Sequence, residues 1–333
     1  MKTFDILKKL VDIKSAPGAE SEIKAFLKSE MESMGYFSFE DGLGNLLCTS
    51  SGNGKCDVVL DAHIDQIAFS CVEVINGGFL RISASGGIDR RTLLCQPVIA
   101  YGKKAYKGAT ISSPPHLSKD DKIPEIDEIF VDLGIESLTE ADVPISSPVY
   151  FDHPLKEHIG GIVSGTGLDN KASVCALLLI AESLKKTKTN KSVGFLFSTR
   201  EETGATAAAT AIDLCGAEKA IVVDVSFAAC PDNKPYLCGK MGEGAMVGIA
   251  PIIDKELSKA IRDAADKKGI KYQTEVMSGR TGTNADAIGL RGKGVRVCTV
   301  SIPLLSMHSP IERVKLSDVE NTAELILEAL LNI

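Results

Sequence analysis

The sequence predicts an α/β protein: a mostly parallel mixed sheet flanked by helices, with an all-β unit inserted into it. Three observations predict it. From Gly161 onward, compact apolar runs alternate with segments of helical period. Residues 1–66 carry the same ingredients. Between them, residues 67–160 hold short runs punctuated by Gly77-Gly78, Gly86-Gly87, Pro97, Gly108, Pro114-Pro115, Pro144 and Pro148, with one short helix expected near 124–129. The expected organisation is an α/β domain of residues 1–66 plus 161–333 and a β-barrel-like domain of residues 67–160.

In chain order, Phe4, Leu7, Leu10 and Val11 recur at helical spacing behind Thr3, a good helix cap, and Pro17-Gly18 ends that helix. A second helix starts near Ser21, lays Ile23, Phe26, Leu27, Met31 and Met34 on one face, and stops at Gly35. Residues 45–49 and 57–61 read as strands around the turn Ser51-Gly52-Asn53-Gly54. Beyond the insertion, helices are expected over 172–185, 205–214, 255–268, 284–290 and 317–331. Strands are expected over 192–197, 220–225, 272–276 and 295–302.

Composition narrows the function classes. The 333 residues are 44% hydrophobic and 24% charged, ordinary for a globular protein. A net charge of −7 with no Lys/Arg cluster argues against nucleic-acid binding. The N-terminus carries Asp5 and Asp12 on an amphipathic helix, unlike a signal peptide, and the longest apolar run, residues 174–181, is too short to span a bilayer. Nine cysteines, none in a C-x-x-C pair and several inside apolar segments, suit small buried side chains in a reducing compartment. A cytoplasmic enzyme without a membrane partner is expected.

Ligands in an open α/β sheet collect at the carboxyl ends of its strands. Strand 192–197 runs into Ser198-Thr199-Arg200-Glu201-Glu202-Thr203-Gly204, whose two adjacent carboxylates repel each other and call for a cation if the site is closed. Strand 57–61 runs into Ala62-His63-Ile64-Asp65, strand 220–225 holds Asp224, and strand 295–302 leads to Met307-His308-Ser309-Pro310. Asp169-Asn170 opens the helix over 172–185.

Singly, each has a plain structural explanation: Asp169 as a helix cap, Asp224 as a loop starter, His308 as a turn residue, His63 as a core histidine, Glu201-Glu202 as a solvated cap. Coinciding at five junctions, they form a donor set suited to Zn²⁺, Co²⁺ or Mn²⁺, with one glutamate left over as general base. His63 and Asp65, two apart in extended backbone, project to the same side, so the Asp65 carboxylate is expected to bond the second imidazole nitrogen.

In this order, the strings Ala62-His63-Ile64-Asp65, Leu168-Asp169-Asn170-Lys171, Arg200-Glu201-Glu202-Thr203-Gly204, Val223-Asp224-Val225 and Met307-His308-Ser309-Pro310 resemble those of the M42 dinuclear metallo-aminopeptidases, the glutamyl and tetrahedral aminopeptidases. The family's versions are A-H-x-D, D-N-R, E-E-x-G, V-D-V and M-H-S-P. The resemblance covers essentially the whole chain and includes Ser113-Pro114-Pro115-His116-Leu117 and Gly282-Thr283-Asn284-Ala285-Asp286-Ala287. It implies that His63, Asp169 and Asp224 bind one metal, that Asp169, Glu202 and His308 bind a second with Asp169 bridging, that Glu201 is the general base and that Asp65 orients His63.

It further implies two divalent ions per subunit (Zn²⁺ or Co²⁺ foremost, Mn²⁺ also accepted) and peptide substrates with a free N-terminus. The inserted domain is expected to dimerise the protein, and dimers of the family often build a tetrahedral homododecamer, so the resemblance leaves homodimer and dodecamer both open. The chain departs from the family at Gln66 (commonly Glu), Ala68 (commonly Gly), Lys171 (Arg) and Glu243-Gly244-Ala245 (Gly-Pro ending), which leaves substrate and metal preference open. The alternatives are a related metal-dependent deacylase, a glycan hydrolase such as the cellulase-labelled relatives, and an inactive assembly protein. Adjacent Glu201 and Glu202 are poorly placed to flank a glycosidic bond.

Overall fold

The computed structural model describes residues 2–114, 116–117, 122–187, 189–231 and 233–332; Pro115 of the Ser113–Leu117 string lies outside them. Helices α1 (Thr3–Asp12) and α2 (Ser21–Ser33) precede strands β1 (Phe37–Glu40), β2 (Leu46–Thr49) and β3 (Val58–His63). Then come β4 (Ala68–Ile75), β5 (Phe79–Ser85), β6 (Pro97–Tyr101), β7 (Ala105–Ile111), β8 (Phe130–Asp132) and β9 (Pro148–Phe151). The chain continues through β10 (Lys156–Glu157), β11 (Ile162–Gly165), α3 (Leu168–Leu184), β12 (Val193–Ser198), α4 (Ala208–Cys215) and β13 (Lys219–Phe227). It closes with β14 (Ala245–Ile249), α5 (Lys255–Lys268), β15 (Tyr272–Val276), α6 (Ala285–Ile288), β16 (Arg296–Leu304), β17 (Glu312–Lys315) and α7 (Leu316–Leu330).

The principal sheet has eight strands in the order β1-β2-β12-β3-β13-β16-β14-β15. Its centre, β12-β3-β13-β16, is parallel, as is the β14–β15 pair. The β1–β2, β2–β12 and β14–β16 pairs are antiparallel. Strands β3 and β12 are buried at every residue, which is why they read as continuous apolar runs rather than alternating ones. Phe195 of β12 packs edge-on against Tyr36, ring centroids 5.3 Å apart. Each such fully buried large apolar side chain contributes roughly 1.5–3 kcal/mol.

Strands β4 to β9 close into a barrel in the order β4-β5-β8-β7-β6-β9. It has its own apolar core, built around Phe69, Val98, Val131, Val149 and Phe151, separate from the core of the sheet and its helices. No helix among the described residues is long and apolar enough to cross a membrane. The nine cysteines are free.

One expected boundary moves, and one holds. The segment expected to be helical from 205 begins at Ala208, because Glu201–Thr203 forms a single 3-10 turn and Ala205 sits at φ 51°, outside helical space. Regular helical geometry in α3 starts after Asn170, since Asp169 and Asn170 have non-helical dihedrals.

Register sets up the site. Parallel pairing aligns Ser198 with His63, and Asp224 with Ser301, so the residues following β12 emerge beside the end of β3 and one strand from Asp224. The Leu305–Arg313 bridge folds the segment after β16 back on itself, and antiparallel pairing of β17 with β11 sets Glu312 opposite Gly165, just ahead of α3.

Candidate metal centre

Two donor groups share one residue. In each of the sets His63, Asp169, Asp224 and Asp169, Glu202, His308, the ligand atoms lie within 4.8 Å of one another. Asp169 turns Oδ1 toward His63 Nε2 (3.2 Å) and Oδ2 toward His308 Nε2 (3.5 Å). Asp224 Oδ1 lies 3.7 Å from His63 Nε2, and Glu202 Oε2 lies 3.4 Å from His308 Nε2. Glu201 stands nearby, its Oε2 4.0 Å from His63 Nε2, and belongs to neither set. All seven residues singled out from the sequence are thus brought together.

Asp65 is wired differently from the sequence expectation. His63 Nδ1 is held at 3.1 Å by the main-chain carbonyl of Asp65, while the carboxylate lies 3.5 Å away. That carboxylate instead accepts from the amides of Glu201 (3.0 Å, Oδ1) and Glu202 (3.1 Å, Oδ2). One residue therefore fixes the imidazole through its backbone and the acidic turn through its side chain. Arg200, at φ 58°, makes the tight entry to that turn, and His308 is also left-handed at φ 57°. Non-glycine residues in that region are uncommon and cluster where a side chain must be aimed.

Glu312 was not foreseen from the sequence. It is fully buried on β17, and its two carboxylate oxygens accept from Asp169 N (3.0 Å) and His308 N (3.1 Å), the main chain of two proposed ligands. Its position four residues after His308 was the available signal. Gln66 and Lys171, two of the departures from the family pattern, form a buried pair in which Lys171 Nζ donates to Gln66 Oε1 and to Ile13 O. Gly167, at φ 72°, lies so close to the Gln66 carboxamide that a Cβ there would meet it at 2.9 Å. The barrel contributes a wall: Gly86, at φ 96°, would place a Cβ 3.3 Å from Glu202, and Asp89 N donates to His308 O.

The electrostatics call for cations. Burial pushes the carboxyls of Glu202 and Asp224 well above the ordinary range, the Asp169 charge adding to the effect, and burial raises Glu201 too. Burial also opposes ionisation of Asp169, but the His308 and His63 imidazoles outweigh it and hold that carboxyl low. Burial alone would lower His63; Asp169 and Asp65 reverse this and carry it well above its usual value. Glu202 Oε1 is buried without a hydrogen-bond partner among the described residues. A donor set of two imidazoles and three carboxylates with an orphaned carboxylate oxygen fits divalent metal.

Carboxylates and imidazoles converging at parallel strand ends, beside a cavity, define an α/β protein with a site suited to metal-dependent chemistry. Comparison with known proteins narrows it. The chain matches the family described as M42 glutamyl aminopeptidase over residues 44–325 and belongs to that family. It is 30% identical to a putative aminopeptidase of Acetivibrio thermocellus, over 98% of each chain. It is 26% identical to a lysyl aminopeptidase of Pyrococcus furiosus, over 98% of this chain and 96% of that one. The TET1 peptidase of Pyrococcus horikoshii, described as assembling into a tetrahedron or a large octahedral shell, superposes with a TM-score of 0.86 at 28% identity, over 99% of both chains. The protein is an aminopeptidase, a hydrolase that removes N-terminal residues from peptides.

Proposed function

We propose that the aminopeptidase reaction runs at a two-metal centre, with His63, Asp169 and Asp224 holding one ion and Asp169, Glu202 and His308 the other. The observation that carries this is the split use of Asp169, one oxygen toward each histidine. Ions held by these residues would supply Lewis acidity toward a peptide carbonyl and a bound water. Zn²⁺ or Co²⁺ suits the mixed nitrogen and oxygen donors best, and Mn²⁺ is accepted.

Glu201 is the general base. Its side chain is 14% exposed and lines a cavity of about 550 Å³, so it reaches solvent and substrate while remaining largely desolvated. The raised carboxyl favours proton acceptance at Glu201 and return of that proton to the leaving amine. Asp65 holds Glu201 and Glu202 in register through their amides and fixes the ring of His63 through its carbonyl.

Residues 1–66 with 161–333 then form the catalytic domain, and 67–160 an inserted domain that dimerises the protein; the separate barrel core supports the division. By analogy with the TET1 peptidase, whose tetrahedral and dodecameric forms are known, dimers assemble further into a tetrahedral dodecamer. The free cysteines suit a cytoplasmic location.

The test is hydrolysis of aminoacyl and N-acetylated peptides by protein stripped of metal and restored with Zn²⁺, Co²⁺ or Mn²⁺, alongside elemental analysis. Two ions per chain and release of only unblocked N-terminal residues are expected. Turnover unaffected by exhaustive chelation would refute the centre.

A further inference from the structure

At the opposite end of the sheet from the metal centre, two cysteines from distant parts of the chain meet. Cys56 stands two residues ahead of β3, and Cys215 is the last residue of α4. The Cys56 amide donates to the Cys215 carbonyl at 3.3 Å, a contact that brings the two backbones within the roughly 4.4–6.8 Å Cα span of a disulfide. The Cys56 thiol in turn donates to the Cys215 sulfur. Gly194 of β12 leaves the room that Cys56 occupies, since a Cβ there would meet the Cys56 sulfur at 2.7 Å.

The two sulfurs are unlike each other and unlike the other buried cysteines. The hydrogen bond from Cys56 outweighs burial and brings the Cys215 thiol down to about 7, with the Ala217 and Cys215 amides and Lys55 adding to the effect. That same bond, together with burial, pushes the Cys56 thiol up. Burial raises the thiols of Cys48, Cys175 and Cys298. Lys55 is fixed beside the pair, its Nζ donating to Leu214 O at 2.9 Å. A cavity of about 370 Å³ opens at Cys56 and at Gly216, the residue after Cys215, with Lys191 and Lys219 in its walls. A thiolate next to a protonated thiol, at a cavity a small oxidant can enter, is an attacking sulfur with its resolving partner in place.

We propose that Cys56 and Cys215 form a redox site that reduces a small hydroperoxide and closes reversibly to a disulfide. The Cys215 thiolate attacks one peroxide oxygen. An S–O bond forms, the O–O bond breaks, and the departing alkoxide or hydroxide takes a proton from solvent. The Cys56 sulfur then attacks the sulfenic sulfur of Cys215. An S–S bond forms, the S–O bond breaks, and hydroxide leaves with the Cys56 proton as water. Two electrons pass from the thiols to the peroxide, which ends as one alcohol, or water, and one water. No group in the pair is a proposed metal ligand, so the site stands apart from the metal centre, and its bond would tie the entry of β3 to the exit of α4.

The experiment exposes metal-loaded protein, dialysed free of excess ion, to equimolar hydrogen peroxide. The peroxide is then removed, free thiols are alkylated in denaturant, and the digest is mapped by mass. A Cys56–Cys215 linked peptide, lighter by two hydrogens and opened again by dithiothreitol, is expected. Cys215 should be consumed roughly tenfold faster than the exposed Cys95 and Cys230, because a thiol of pKa near 7 is half ionised at neutral pH and an ordinary one only a few per cent. Dimedone, which traps sulfenic acid, is expected to label Cys215 in Cys56→Ser and to leave Cys56 unlabelled in Cys215→Ser.

Oxidation of Cys95 and Cys230 with Cys56 and Cys215 both recovered as thiols overturns the proposal, and this map of the wild type depends on neither variant folding. A link between the two that forms only when denaturant is present during the peroxide step overturns it as well. Dimedone on Cys56 in Cys215→Ser would refute Cys215 as the attacking sulfur.

Discussion

Glu201 and Glu202 are neighbours in sequence with different proposed duties, and their surroundings differ. Glu202 points into the donor set with one buried oxygen that has no hydrogen-bond partner among the described residues, while Glu201 borders the cavity. Glu201→Gln is therefore expected to retain metal and to lose turnover by about a hundredfold, the usual scale of general-base catalysis; near-normal kcat would remove it from that role. Glu312 makes a sharper test. A carboxylate accepts with both oxygens, whereas an amide has one acceptor and one donor, so Glu312→Gln sets a donor against the main-chain N–H of either Asp169 or His308. Metal affinity is expected to fall roughly tenfold to a hundredfold, read as metal content after dialysis at graded chelator. Full retention would reduce Glu312 to a packing role.

Among the elements, the turn into α3 is the most demanding. Gly167 at φ 72° leads directly into Leu168 and Asp169, and the Gln66 carboxamide fills the space a side chain would need. Gly167→Ala is expected to destabilise the fold by about 1–2 kcal/mol from backbone conformation alone, with a further cost from displacing Gln66. Denaturant unfolding measures it, and an unchanged midpoint would mean that the turn relaxes freely. This element also shows what sequence leaves out. The helix over 172–185 was legible from its apolar run, but the contacts that hold Asp169-Asn170 ahead of it were not, because they come from Glu312 and from Val223, whose carbonyl accepts from Asn170 Nδ2, both more than fifty positions away.

For the whole molecule, stability should depend on pH at the alkaline end. Burial pushes the phenols of Tyr36 and Tyr150 up to about 12 and the thiols of Cys48 and Cys298 to about 12 as well. The native state thus keeps protons that the unfolded chain releases at lower pH, and the stability these groups contribute is complete below about pH 9 and lost progressively toward pH 12. Chemical denaturation across that window should show a falling midpoint, with a shallower fall for Tyr36→Phe. A flat profile would mean that these groups ionise without unfolding the protein.

The sequence by itself determined the alternation of buried strands and helices, the β-rich interruption and the seven residues that meet in the site, because burial period and strand-end position are local properties of the chain. It placed Asp65 beside His63 but not on the amides of Glu201 and Glu202, since that bond depends on how β3 pairs with β12. Only tertiary structure decided that Asp169 faces two histidines at once, that Glu312 holds both neighbouring backbones, and that Arg280, unpaired among the described residues, lines the cavity. Each of those facts joins segments distant in sequence through hydrogen-bond geometry or its absence, and no local pattern of residues encodes such a meeting.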